Sequence, residues 1–107
     1  MVTISHDPTI IVFDFTREFE TRVRNSNVDV EVHDEVGRWS ATFFTLENVE
    51  TLMLEHALTG ESTGGLYLWA TDMILVRELS YDVIRETVAG LRRSGDFPVA
   101  FMRLDDD

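Results

Sequence analysis

Two short runs of strict alternation constrain the fold of this chain more than any other feature. Val28, Val30 and Val32 alternate with Asp29, Glu31 and His33, and Trp39, Ala41 and Phe43 alternate with Arg38, Ser40 and Thr42. A period of two puts the apolar side chains of each run on one face of a strand and the polar ones on the other. The two runs therefore read as an antiparallel pair with one wet face. Parity then sets the register. A four-residue loop from Asp34 to Gly37 places Val32 opposite Trp39 and Val30 opposite Ala41, because a slip of one residue would turn every apolar side chain outward.

The same logic extends in both directions. Odd positions from Thr9 to Val23 carry most of the apolar residues, which predicts one bent strand or two strands broken near Thr16 and Arg17. A two-residue Asn25-Ser26 turn would set Val23 opposite Val28, Arg22 opposite Asp29 and Glu20 opposite Glu31. Downstream, Thr45 is an N-cap for a helix whose Leu46, Val49, Leu52, Met53 and Ala57 form an apolar stripe ending at Gly60. A loop follows from Gly60 to Gly65. Leu66 to Val76 is dense in apolar residues with a break at Ala70 to Asp72, and reads as two short strands or one kinked strand. Ser80 caps a second helix, Tyr81 to Arg93, with Val83, Ile84, Thr87, Val88 and Leu91 inward and Arg92 and Arg93 against its C-terminal dipole. Phe97 to Leu104 adds an edge strand, the one place in a sheet that tolerates Pro98. The sum is a single α+β domain over residues 1–107, with two helices packed on one face of a mostly antiparallel sheet.

Composition narrows the chemistry. All nine basic residues are arginine, and the chain has neither lysine nor cysteine. That excludes Schiff-base lysines, the P-loop lysine, disulfides, thiolate nucleophiles and cysteine-ligated metals. Twenty acidic residues bring the net charge to −11, which opposes binding to nucleic acid or to an anionic membrane. Apolar runs such as Ile10 to Phe13 are far shorter than the ~20 residues of a membrane span, and the start lacks a basic leader, so a cytoplasmic location is expected. Ten acids fall in residues 1–53 and ten in 54–107, with Asp105, Asp106 and Asp107 as the longest single-sign block. Three origins of this charge compete: adaptation to a high-salt interior, the arginine bias of a GC-rich genome, and a surface matched to a basic partner such as a toxin.

No catalytic or cofactor constellation stands out. Gly60-Glu61-Ser62-Thr63-Gly64 fits G-x-S-x-G, but a nucleophile elbow runs from strand to helix and here the order is reversed. His6, His33 and His56 share no metal-ligand spacing, and His56 near a helix end complements the dipole. Asp14, flanked by Phe13 and Phe15, falls on the wet face by alternation, and Asp72 closes a turn. No catalytic residue, metal or cofactor is therefore assigned.

The aromatic residues carry the surface hypothesis. Phe44 lies on the phase opposite Phe43, and Tyr67 and Trp69 share a phase with Met73 and Leu75, so this region is apolar on both faces. Either a helix covers the second face or it meets another subunit, which makes Phe44, Tyr67 and Trp69 candidates for a homodimer or partner interface. A competing reading is a ligand pocket near the Gly60 to Gly65 loop with Glu61, Asp72 and a histidine as its polar groups. The block from Phe43 to Val76, with its TLENVETLM helix, TGESTGG loop and LYLWATDMILV stretch, resembles small uncharacterised prokaryotic proteins, a resemblance that implies no activity and no functional residue. The expected function is a non-catalytic interaction or regulatory domain. If the acidity is an adaptation to salt, the thermal midpoint rises steadily from dilute buffer to molar KCl; a flat response would return the charge to the functional features.

Overall fold

The computed structural model describes residues 1–104, so the Asp105 to Asp107 block lies outside the described residues. Strands β1 (Val2–His6), β2 (Thr9–Val12), β3 (Asn27–His33) and β4 (Arg38–Thr45) form an antiparallel meander in sequence order. Helix α1 (Leu46–Thr59) and a short helical turn, α2 (Glu61–Gly65), lead to β5 (Met73–Val76), which pairs parallel to β4. Helix α3 (Tyr81–Ser94), the turn α4 (Phe97–Ala100) and β6 (Met102–Leu104) complete the chain, with β6 antiparallel to β4. The result is an α+β fold on a mostly antiparallel six-stranded sheet.

The central pairing follows the alternation. Val32 faces Trp39 and Val30 faces Ala41 across the Asp34 to Gly37 loop, and all four are buried together with Val28 and Phe43. Asp34 holds that loop. Its Oδ1 accepts hydrogen bonds from the amides of Val36 (2.9 Å) and Gly37 (3.0 Å) and from the indole of Trp39 (3.1 Å). Burial pushes the Asp34 carboxyl up, but these donors outweigh it and hold its pKa below the ordinary value.

The upstream register differs from expectation. Thr9–Val12 alone is a strand, with Ile11 opposite Glu31 and Val12 opposite Val30, so Glu20 does not meet Glu31. Glu31 instead lies 2.7 Å from His33 Nε2 and 3.2 Å from Arg38 Nη1. Val23 does not pair with Val28. Its amide and carbonyl exchange 2.7 Å hydrogen bonds with Leu79, and Arg22 meets Glu78 rather than Asp29. The reason is that β2 has already taken the free edge of β3, leaving residues 13–26 to travel to the start of α3. β1 was not foreseen. Its Val2 and Ile4 pack against the core, but five residues with two apolar positions give little periodic signal.

The detour is pinned by Asp14, which is 4% exposed rather than on the wet face. Its carboxylate accepts from the Tyr81 hydroxyl (2.8 Å), the amides of Thr16 (3.1 Å) and Phe19 (3.2 Å), and the Thr16 hydroxyl (3.2 Å). These bonds shape the 3-10 turn Glu18–Glu20 and seat Phe19 in the core. A carboxylate with four donors tolerates burial that an unpaired one would not.

Of the two long helices, α3 closes the core with Tyr81, Ile84 and Val88. α1 contributes no buried residue. The last segment is a turn followed by a strand, with Pro98 in the first turn of α4, where its missing N–H costs nothing. α4 brings Phe97 and Phe101 onto Trp39 and Phe43, with ring centroids 5.3 and 6.2 Å apart respectively.

The Asp14–Tyr81 bond sets a pH dependence at both ends. Burial raises the Asp14 carboxyl, yet the Tyr81, Phe19 and Thr16 donors hold it below its ordinary value; its stabilisation is complete above about pH 4 and is lost as pH falls through the lower folded value. Burial first, then the Asp14 bond, push Tyr81 up to about 12, so its contribution is full below about pH 10 and vanishes as pH rises toward that value. Tyr81→Phe should cost about 1.5–3 kcal/mol near neutral pH and flatten the alkaline limb of the denaturation profile. An unchanged limb would show that the bond does not form in solution.

Candidate interaction surface

Thr45 joins the sheet to α1. Its buried Oγ1 accepts from the Asn48 amide (3.1 Å), the expected N-cap, and also from the Ser26 amide (3.2 Å). The start of the helix is further held by side chains. Asn48 bonds Asn25 (3.1 Å) and Asn27 (2.8 Å), and Thr51 accepts from Asn25 (3.0 Å). Gly60, at φ 85°, ends the helix with its amide on the His56 carbonyl.

The polar contacts of α1 thus use one side, and the opposite side is left open. Leu46, Glu50, Leu54 and Leu58 stand four residues apart on one exposed row, with Val49, Met53 and Ala57 on the neighbouring row. Both rows apart from Leu58, together with Gly65, line a groove of about 440 Å³, in which Glu50 is the only charged lining residue. Leu58 is 89% exposed and Leu54 64%.

Where a loop was expected, α2 folds back on α1. Ser62, Thr63 and Gly64 take left-handed φ/ψ, a conformation that costs L-residues roughly 1–2 kcal/mol each and is least tolerated by a β-branched residue such as Thr63. Gly65 continues at φ 81°, so close to α1 that a Cβ would lie 2.0 Å from the Met53 carbonyl oxygen and 3.0 Å from the Ala57 amide. Only glycine allows that approach.

Residues 66–71, expected to begin a strand, do not pair. The far edge of β4 is already shared by β5 at Thr42–Thr45 and β6 at Arg38–Ser40. Leu66, Tyr67 and Trp69 are exposed as a result, Trp69 at 72%. Within β5 the expected phases survive: Ile74 and Val76 pack against the core and Leu75 is exposed. Phe44 is half-buried, in register with Leu75 on one side and Asn27 on the other.

The polar candidates do not converge. Glu61 lies 3.5 Å from His56 Nε2. Asp72, at φ 52°, closes the turn before β5 with its carbonyl accepting from the Thr42 amide, and burial followed by the nearby Asp29 raises its pKa. Neither lines the groove. A second cleft of about 240 Å³ is lined by Trp39, Arg92, Phe97 and Asp34 among others, but Asp34 is committed to its loop. Among the described residues no group of three or more His, Asp or Glu could hold a metal ion, and no helix is long and apolar enough to cross a membrane. The helix and its apolar stripe were legible in the sequence, and Val49, Leu52 and Met53 of that stripe are half-buried; the exposed Leu54 and Leu58 lie outside it and were not foreseen, because periodicity carries no information about which surface lies opposite.

No family model matches the chain, and comparison with curated proteins and with solved structures gives no match either. The surface therefore has to be read from its own geometry.

Gly65→Ala should detach α2 from α1. Amide exchange over Met53 to Leu66 is expected to quicken while the global thermal midpoint hardly moves, since neither element supplies a buried residue. Unchanged exchange there would mean that the turn does not rest on the helix.

Proposed function

We propose that this chain is a non-catalytic protein-interaction domain whose working surface is the outer face of α1 together with the residues 66–69 that follow it. The observation that carries this reading is the open apolar row of a well-capped helix that gives nothing to the core. Capping and polar anchoring hold α1 in place through Thr45, Asn48 and Thr51, so its leucines are free to serve another molecule. The exposed parts of Leu46, Leu54, Leu58, Leu66, Tyr67 and Trp69 amount to roughly 800 Å², about the share one partner gives to a standard interface of ~1,600 Å². Isolated surface leucines need no explanation, whereas an exposed row of them on one helix does.

Exposed Tyr67 and Trp69 fit this reading, whereas Phe44 is half-buried between Asn27 and Leu75 and is not needed for it. A pocket enzyme finds less support, since the groove holds a single carboxylate and no second polar group to work with it.

The double substitution Leu54→Asp with Leu58→Asp tests the reading. Folding stability should change by less than about 0.5 kcal/mol per site, as for ordinary surface positions. A photo-crosslinker at position 58, introduced in the native host, should trap a defined product that one at the exposed Glu86 of α3 does not. Collapse of the double variant, or identical trapping at both positions, would sink the proposal.

A further inference from the structure

The charges of this chain are not distributed as evenly as its acids. All nine arginines lie outside residues 39–76, whereas that segment holds Glu47, Glu50, Glu55, Glu61 and Asp72. Among the described residues, Glu47 is matched by Arg24 at 3.7 Å and Glu61 by His56 at 3.5 Å; no ion pair reaches Glu50. Glu50 stands in the middle of the exposed row, one helical turn from Leu46 on one side and from Leu54 on the other.

Any molecule that covers this groove also covers Glu50. Taking an ionised carboxylate out of water without a partner costs several kcal/mol, so a stable occupant has to bring a cation to that point. A second copy using the same face cannot do so. A two-fold dimer sets a surface against itself, which would bring the acidic segment against its own twin, and Arg24, the arginine that lies against α1, is already taken by Glu47.

Resting on the interaction reading above, we infer that the α1 groove takes a partner helix of opposite character: apolar residues at i and i+7 or i+8, and an arginine or lysine between them facing Glu50. The spacing follows from α1 itself. Leu46 and Leu54 are eight residues or about 12 Å apart along the axis, two turns of a facing helix. The leucines supply the buried area and Glu50 fixes the register and the sign of the partner. The −11 charge of the whole chain adds attraction for such a partner at long range.

The test uses the full chain and three synthetic 18-residue amphipathic peptides that share one leucine stripe and carry lysine, glutamine or glutamate beside it. Amide chemical shifts are followed during titration. The lysine peptide should bind and move the signals of residues 46–58 and Gly65, and Glu50→Gln should weaken it about five- to ten-fold, roughly 1 kcal/mol or more. Glu86→Gln, an equal loss of charge on α3, should change binding less than about two-fold, the difference between a local pair and net attraction. Equal weakening by both variants, shifts centred on α3 or the sheet, or binding of the glutamate peptide as tight as the lysine one would each overturn the inference. Self-association through residues 46–58 without peptide binding would overturn the partner chemistry and leave the interaction surface standing. No peptide binding, no self-association and no site-specific crosslink would remove both.

Discussion

β4 is the strand on which the rest of the molecule depends. One of its edges carries the whole length of β3, and the other is divided between β6 at its start and β5 at its end. Its inward residues Trp39, Ala41 and Phe43 are the floor on which α4 and the Phe97–Phe101 stack settle. Its last residue, Thr45, ties three things together with one hydroxyl: the strand end, the first turn of α1 and the backbone of Ser26. A strand with both edges in use and one face dry leaves its neighbours few choices.

Full use of the β4 edges also shapes the outer surface. β5 and β6 between them occupy every position of β4 save Ala41, so the apolar segment before β5 finds no room on that edge. It stays in the open with Trp69 exposed, and α1, rooted through polar contacts at its N-terminal half, projects Leu46, Leu54 and Leu58 outward. The long dimension of the molecule, 44 Å against 30 and 27 Å, fits a core with an appended lobe. An interaction surface arises here from what the sheet could not accommodate.

Charge reads differently once the fold is known. A repulsive Glu20–Glu31 pair would have argued for a salty solvent, but Glu31 sits instead between His33 and Arg38. The buried carboxylates, Asp14 and Asp34, are likewise satisfied by donors within the chain and serve folding. Among the described residues Glu50, like Glu55 and Glu86, meets no ion pair, and it is the one of these that lines the α1 groove among leucines.

The sequence alone determined the features governed by short-range rules. Alternation set the β3–β4 register, Thr45 and Gly60 bounded α1, and Ser80 and Gly95 bounded α3, because period, capping and turn chemistry act within a few residues. Only the tertiary structure decided which partners those elements met. Asp14 alternates as a wet residue yet is buried, because Tyr81, 67 positions away, supplies its hydrogen bond. Val23 skips its sequence neighbour Val28 for Leu79, because the edge beside β3 was already filled by β2. On α1 the stripe read from the spacing is half met: Val49, Leu52 and Met53 are half-buried while Leu46 and Ala57 stay exposed, since amphipathicity specifies that a face will be buried and leaves open by whom.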